Sequence, residues 1–375
     1  MAFFSTKFNS FGLDISDGTL KLVECDKSFK GTAVKAWGVS KLDPELIENG
    51  EIRDTKKVAM EIKKLVKEAR GKVGTNYVVS VLPESKTFIK LLKLKKPKTR
   101  GKLSNDQIQS LINNELPNHI PVEIEDLQYD FQLIGKSDET LKILVGAVQK
   151  DIVKQYVEAL SFAELKITAL EIEAQSIVRA IFKDHKITKP IFHNLPTRKN
   201  KKHKTNNNQL TIIVDLGANR SSLIFWHRKA IQFTSTLEIS GNRITKKIAK
   251  KLNMSHEKAE KAKHVCGLDN KKAKGEIANL ILEPFDNLLD EINKNINYYK
   301  RTTPIDLKET KILLAGGGSN LTGLTEFIKQ KTKAQVELAN PLTNLNLEKN
   351  IIPTKHIAGL TSAIGLSLRH IIEDI

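Results

Sequence analysis

The sequence predicts an α/β protein of two or three domains, and three observations carry that prediction. The chain has 375 residues, too many for one small core on a length prior of roughly 150 residues per domain. Strand-like alternation and helical periodicity take turns along its whole length. Two strand, Asp, turn, strand units recur 201 positions apart, with Asp14 near the end of one leading strand and Asp215 near the end of the other.

In chain order, Phe8 to Ile15 alternates as a strand, Ser16, Asp17 and Gly18 supply a tight turn, and Thr19 to Glu24 returns as a second strand. After a loop holding Asp43-Pro44 and Asn49-Gly50, the segment Thr55 to Arg70 sets Val58, Ile62, Leu65 and Val66 on one stripe, the mark of an amphipathic helix. Strands follow at Tyr77 to Leu82 and Thr87 to Leu94. A helix capped by Ser104 runs to Leu116, where Pro117 interrupts it; strands at Leu127 to Ile134 and Thr140 to Ala147 and a helix from Asp151 to Phe162 complete a block with its own layers. Residues 75–162 therefore read as a subdomain inserted into a first domain whose other parts are 1–74 and 163–196. Within the latter, Lys166 to Glu171 is strand-like and Ala174 to Phe182 helical.

Residues 197–208 hold no apolar side chain and read as an exposed basic loop. The second domain spans 209–355. It opens with the strand Thr211 to Leu216, a turn at Gly217, Ala218 and Asn219, and the strand Ser221 to Trp226. Helical, lysine-rich sequence occupies 241–305, and the strand Lys311 to Leu314 runs into a glycine-rich turn, Gly316 to Ser319. Residues 356–375 read as one amphipathic helix that closes on the first domain.

Composition narrows the function classes. Apolar residues make up 40% of the chain, too many for a disordered one, and no apolar run approaches the roughly 18 residues of a spanning helix. The net charge of +18 invites a nucleic-acid or membrane-surface reading, but eight Lys/Arg fall within 86–102 and five within 198–204. Only 10 of the 61 basic residues are Arg, the side chain whose planar fork reads base edges, so a dedicated base reader is disfavoured. Cys25 and Cys266 stand far apart, and Met1 to Phe4 is too short for a signal core, which predicts a cytosolic protein with reduced thiols.

The chemistry lies in the turns. Neither a P-loop nor the G-x-G-x-x-G spacing of dinucleotide binders is present. Instead, three glycine-bearing turns each follow a strand, and two of them carry an Asp. Successive backbone N–H groups in such turns can cradle phosphate, and a nearby carboxylate can hold Mg²⁺, usually through waters. One such turn alone is an ordinary hairpin feature. Three of them in order across two halves of one chain form a pattern.

The stretches FGLDISDGTLKLVE (Phe11 to Glu24), IIVDLGANRSSLIFW (Ile212 to Trp226) and LLAGGGSNLTGL (Leu313 to Leu324) resemble the two phosphate motifs and the adenosine motif of the actin-like ATPases. Within that group the chain is most similar to the PilM family of type IV pilus assembly proteins. VVSVLPES (Val78 to Ser85), the Asn114 to Ile134 stretch, the Leu141 to Val153 stretch and SAIGLSLR (Ser362 to Arg369) add to the likeness. The resemblance implies a two-domain actin-like (ribonuclease H-like) fold with an inserted FtsA-type (SHS2) α/β subdomain.

It also implies ATP and Mg²⁺ as cofactors, with at most slow hydrolysis. Asp14 and Asp215 would organise the metal through water. The segments Ser16, Asp17, Gly18, Thr19 and Gly217, Ala218, Asn219 would wrap the phosphates, with Lys21 and Gly241 nearby. Gly316, Gly317, Gly318 and Ser319 would pack on adenosine, and Glu260 with Lys263 would clasp ribose and adenine. Glu173 stands where the superfamily orients the attacking water; it reads equally as a helix-start carboxylate. The stretch around His256, Glu260, His264 and Cys266 also has the spacing of a broken zinc signature.

One position departs from the family. Ser16 replaces a usual glycine and Asp17 adds a second carboxylate, which would weaken phosphate binding if it pointed inward. By resemblance the protein would lie in the cytoplasm at the inner face of the membrane and bind the tail of a PilN-like membrane protein. The pilus assembly platform and its motor ATPase would be further partners, and no specific nucleic acid is expected. The basic strand Lys86 to Lys96 reads either as a solvated face or as a surface for an anionic membrane. An FtsA-like division protein, a small-molecule kinase of the same superfamily and a nucleotide-independent adaptor are the alternatives.

Overall fold

Two hairpins set the architecture. Alternating apolar residues pair β1 (Phe11–Ser16) with β2 (Thr19–Ser28) antiparallel, and β3 (Gly31–Lys41) extends the pair. A small hairpin of β4 (Ile47–Glu48) and β5 (Glu51–Ile52) leads into α1 (Thr55–Glu68), capped by the Asp54 side chain and burying Val58, Ile62 and Leu65. Then β6 (Tyr77–Leu82) lies parallel to β1. A computed structural model describes residues 8–97, 103–183, 209–303, 310–332 and 334–372. The 197–208 loop, residues 184–196 and Lys98, Arg100 and Lys102 lie outside the described residues.

After β6 come β7 (Thr87–Lys95), α2 (Asn105–Glu115) with a full Ser104/Gln107 capping box, β8 (Leu127–Lys136) and β9 (Thr140–Gln149). Next, α3 (Lys150–Phe162), β10 (Lys166–Ile172) and α4 (Glu173–Ile181) return to the first domain. The second domain begins with β11 (Thr211–Leu216), β12 (Ser221–His227) and β13 (Ala230–Leu237). It continues through α5 (Gly241–Lys251), α6 (His256–Cys266) and α7 (Glu276–Thr302) to β14 (Lys311–Ala315), α8 (Leu324–Thr332) and β15 (Gln335–Leu338). Three short helices end the chain: α9 (Thr354–Ile357), α10 (Thr361–Ser367) and α11 (Arg369–Ile372).

The strands form a five-stranded sheet, β10-β6-β1-β2-β3, and an eight-stranded sheet, β15-β14-β11-β12-β13-β7-β9-β8. Two sequence expectations shift here. Strand β6, placed at the head of the inserted block by sequence, sits between β1 and β10, and α3 packs on α1 in the first core. The strands that leave the first domain are β7, β8 and β9, and they extend the second domain's sheet. Among the described residues after 353, three short α-helices stand where one amphipathic helix was expected over 356–375. All seven residues of α10 are buried, so there is no solvent face to make it amphipathic.

Helices α4 and α10 lie between the two sheets. On one side α10 rests on the five-stranded sheet, Leu366 against Val79, Val81 and Ala169. On the other, α4 sets Ile177, Val178 and Ile181 against Ile213, Ile224 and Ile231 of the larger sheet. The two helices cross where a Cβ at Gly365 would stand 1.8 Å from the Ser176 carbonyl oxygen, so only glycine permits the approach. Gly365→Ala is expected to destabilise the fold by roughly 1–3 kcal/mol or more. Gly135→Ala, whose Cβ meets only the Lys142 side chain at 4.0 Å, should stay within about 0.5 kcal/mol. Urea unfolding of both variants checks the contrast.

Candidate functional site

The ends of three strands converge on one cavity that opens to solvent. From β1 comes Asp14, 1% exposed and directly opposite Lys21 in the β1–β2 register, whose ammonium donates to the Asp14 carboxylate at 2.8 Å. In the same way β11 delivers Asp215, opposite Ser222 on β12 and beside Ala315 on the parallel strand β14. Directly after Ala315, the backbone at Gly316 turns with φ of 75°. A Cβ there would come within 2.6 Å of an Asp215 carboxylate oxygen, so conformation and space both demand glycine. The first residue of α4, Glu173, and the first turn of α10 complete the wall.

The cavity gathers five acids, Asp17 among them, and one lysine. Asp14, Glu84, Glu173 and Asp215 all line it, as does Lys21. Burial, then the charges of Asp14 and Asp215, push the Glu173 carboxyl well above the usual carboxylate range. Burial also pushes Asp215 up to about 6, Lys21 pulling against it and Asp14 adding to it. Burial works against the Lys21 ammonium, but Asp14, then Glu173 and Asp215, outweigh it and raise its pKa. Such a site favours cations and held protons, and it accommodates an anion once a cation accompanies it.

Two functional candidates escape the sequence reading. Glu84 follows β6 in a single 3₁₀ turn; it is 8% exposed and its Oε2 has no partner among the described residues. Burial pushes its pKa up to about 7, against a hydrogen bond from Thr234 and with the charge of Asp215 adding. The other is Arg220, next to Asn219 in the second turn. Its guanidinium grips Asp17 of the first turn with two N–H groups, Nε donating at 3.0 Å, and donates a third to Ser85 Oγ. Asp17 also accepts from the Gly50 N–H at 3.0 Å. The extra carboxylate noticed in the sequence is therefore neutralised by a bidentate pair that joins the two domains at the cleft.

A model of the family described as type IV pilus assembly protein PilM matches residues 12–371. The chain belongs to the PilM family. Its fold is similar to that of a PilM-PilN type IV pilus biogenesis complex structure, with a TM-score of 0.77 at 21% identity, covering 98% of this chain and 99% of that one. More distant likenesses of fold include the ethanolamine utilization protein EutJ from Carboxydothermus hydrogenoformans (TM-score 0.53, 13% identity, 96% and 89% covered). Another is MreB5 of Spiroplasma citri, solved bound to ADP (TM-score 0.51, 12% identity, 97% of both chains covered). The two-domain actin-like architecture expected from the sequence is thus the observed one.

Within this PilM-family fold, the sequence-selected residues divide into two groups. Asp14, Ser16, Asp17, Thr19, Lys21, Glu173, Asp215, Gly217, Ala218, Asn219, Gly316 and Gly317 line the cavity. The others stand behind it. Gly18 abuts Asn219, Gly318 packs on Leu216, and the Ser319 hydroxyl donates to the Gly316 carbonyl at 2.7 Å. Lys263 gives its three protons to Gly241 O, Thr245 Oγ1 and Glu260 Oε2, and His264 engages the other Glu260 oxygen at 2.9 Å. These bonds hold α5 to α6 behind the second turn. Among the described residues no group of three or more His, Cys, Asp or Glu side chains is placed to hold a metal ion, which removes the zinc reading of the His256 stretch.

Because folding raises the Glu84 pKa from 4.5 to about 7, its contribution favours the fold below about pH 4.5 and is lost as pH rises through about 7. Glu84→Gln removes this dependence. Its stability relative to the parent should rise by roughly 1–3 kcal/mol between about pH 5 and pH 8, measured by denaturant unfolding at both pH values.

Proposed function

We propose that this PilM-family protein is a cytoplasmic scaffold of the pilus assembly machinery that binds ATP with Mg²⁺ in the cleft and holds the cytoplasmic tail of a PilN-like membrane protein. The observation that carries the nucleotide half is the pair of Asp-bearing hairpins, one from each domain, converging on one cavity beside the Gly316–Gly317 turn. The tail-binding half rests on family membership and on the likeness to the PilM-PilN complex structure.

The donor set suits Mg²⁺. Asp14 and Asp215 offer carboxylate oxygens without a third fixed ligand, and Mg²⁺ habitually keeps several waters and takes phosphate oxygens for the rest. Bound there, the cation would offset the charge of the phosphates. The chain's own part is to bind and orient. The backbones of Ser16 to Thr19 and Gly217 to Asn219 present N–H groups to phosphate, and Lys21 places an ammonium between the acids. Burial, then the charges of Asp14 and Asp215, make Glu173 hold its proton more tightly than an ordinary carboxyl, and its place in the cleft wall lets it meet water or a phosphate oxygen. Closure on a nucleotide shifts the scaffold only insofar as the closed form binds it more tightly.

Purified protein is expected to bind a fluorescent ATP analogue in the presence of Mg²⁺, with Asp14→Ala and Asp215→Ala each weakening it about tenfold or more. A Cβ at Gly359 meets nothing within 4 Å, so Gly359→Val should leave the fold intact while filling the cleft and weakening the analogue similarly. No analogue binding by the parent protein would select the nucleotide-independent adaptor instead. In a separate pulldown, a PilN-like tail peptide should retain the protein, and ATP should change the amount retained. Equal retention with an unrelated peptide would sink the scaffold reading.

A further inference from the structure

The β2–β3 hairpin ends in an ordered turn that displays an aromatic ring. The Ser28 hydroxyl accepts from the Lys30 N–H at 3.3 Å and donates to the Gly31 carbonyl at 3.1 Å, while Phe29 between them is 98% exposed. A second segment is tied to this tip. Asn346 donates its N–H to Thr32 O at 2.7 Å and its side-chain amide to Lys30 O at 3.0 Å. Leu347, next in the chain, is 61% exposed. Ile351, whose carbonyl accepts from the Trp37 indole at 3.1 Å, is also exposed. Lys27 and Lys30 at the tip, Arg70 against the Trp37 ring and Lys355 four residues after Ile351 are exposed cations, and Asp26 and Glu348 are the exposed acids on the same segments.

One exposed apolar residue is ordinary; three on one fixed, cation-rich rim are not. We propose that this rim docks on the anionic leaflet of a membrane, with Phe29 entering the headgroup–acyl boundary and the lysines meeting lipid phosphates. The shape decides the partner. A protein partner must supply a pocket for a ring that stands on a hairpin tip, whereas a lipid surface receives any protruding apolar group. Lysine stems lie along the apolar boundary while their ammonium groups reach the headgroups. The contact uses neither the cleft nor a PilN-like tail; it rests on the reading above only for the protein's place beside a membrane. Lipid contact of this size is weak alone and adds to a tethered partner through effective concentration.

Co-sedimentation of the full chain with phosphatidylglycerol-containing vesicles, and with vesicles of phosphatidylcholine alone, tests the proposal without nucleotide or partner. The protein should sediment with the anionic vesicles and release as salt rises. Phe29→Ser/Leu347→Ser/Ile351→Ser and, separately, Lys27→Glu/Lys30→Glu should each reduce binding by about tenfold with unchanged circular dichroism. A tryptophan introduced as Phe29→Trp should shift its emission to the blue on anionic vesicles. Undiminished sedimentation of the triple variant, an unshifted tryptophan or no vesicle binding by the parent overturns the proposal. So does a change of oligomeric state in Phe29→Ser, which would mark the rim as a contact between copies. None of these outcomes depends on whether ATP or a tail peptide binds.

Discussion

The buried pair of Glu171 and Arg179 anchors the rest of the molecule. Glu171 is 0% and Arg179 1% exposed, and two guanidinium N–H groups meet the carboxylate at 2.8 Å each. Arg369 joins from the end of the chain, and Arg179 also donates to the Gly365 carbonyl at 3.0 Å. Burial alone would raise the Glu171 pKa, yet the two arginines hold it at about 2. Removing either Glu171 or Arg179 leaves a charge where water cannot reach it. These side chains fasten β10, α4 and the helices α10 and α11 to one another, where the chain leaves the first domain and where it comes back. Glu173 follows Glu171 by two residues, so the same cluster sets where that carboxyl enters the cleft.

Charge sets what the cleft can hold. Two acids, Asp17 and Glu84, add to the negative field of the cleft and are handled differently. Asp17 is quenched by Arg220 across the domain junction. Glu84 is left with a bare oxygen, and burial pushes its pKa up to about 7. Both choices limit repulsion of a phosphate, one by pairing and the other by protonation.

Much of this was legible in the sequence, and the reasons for the gaps are physical. Both Asp-bearing hairpins could be read because alternation, turn residues and acid are all local signals. The insertion's helix and strands were legible for the same reason, down to the Ser104 cap. Strand β3, GTAVKAWGVSK, is rich in small residues, so its alternation has little contrast. Strand β6 reads the same in either domain, because pairing partners are not written in a strand's own residues. Asp17 was noticed, but its partner stands 203 residues away, and an ion pair across a fold leaves no local trace. The same holds for Lys263, where a motif spacing was visible and the competing acceptors were not.

The seam between β7 and β13 gives the inserted strands a mechanical character. Only Phe233 and Lys90 stand in register across it, whereas β7 and β9 share nine registered pairs and β12 and β13 share seven. On the other side the insertion is tied to the first domain by the short turn at Glu84 to Lys86 and by the direct passage from β9 into α3. Beyond the Phe233–Lys90 rung the join to the second domain is made by side chains: Ile89 and Leu144 share a core cluster with Ile231, and Lys90 donates to the Tyr298 hydroxyl at 3.0 Å. The insertion is therefore joined to the second domain by side chains more than by backbone, unlike the continuous ladders on either side of that seam.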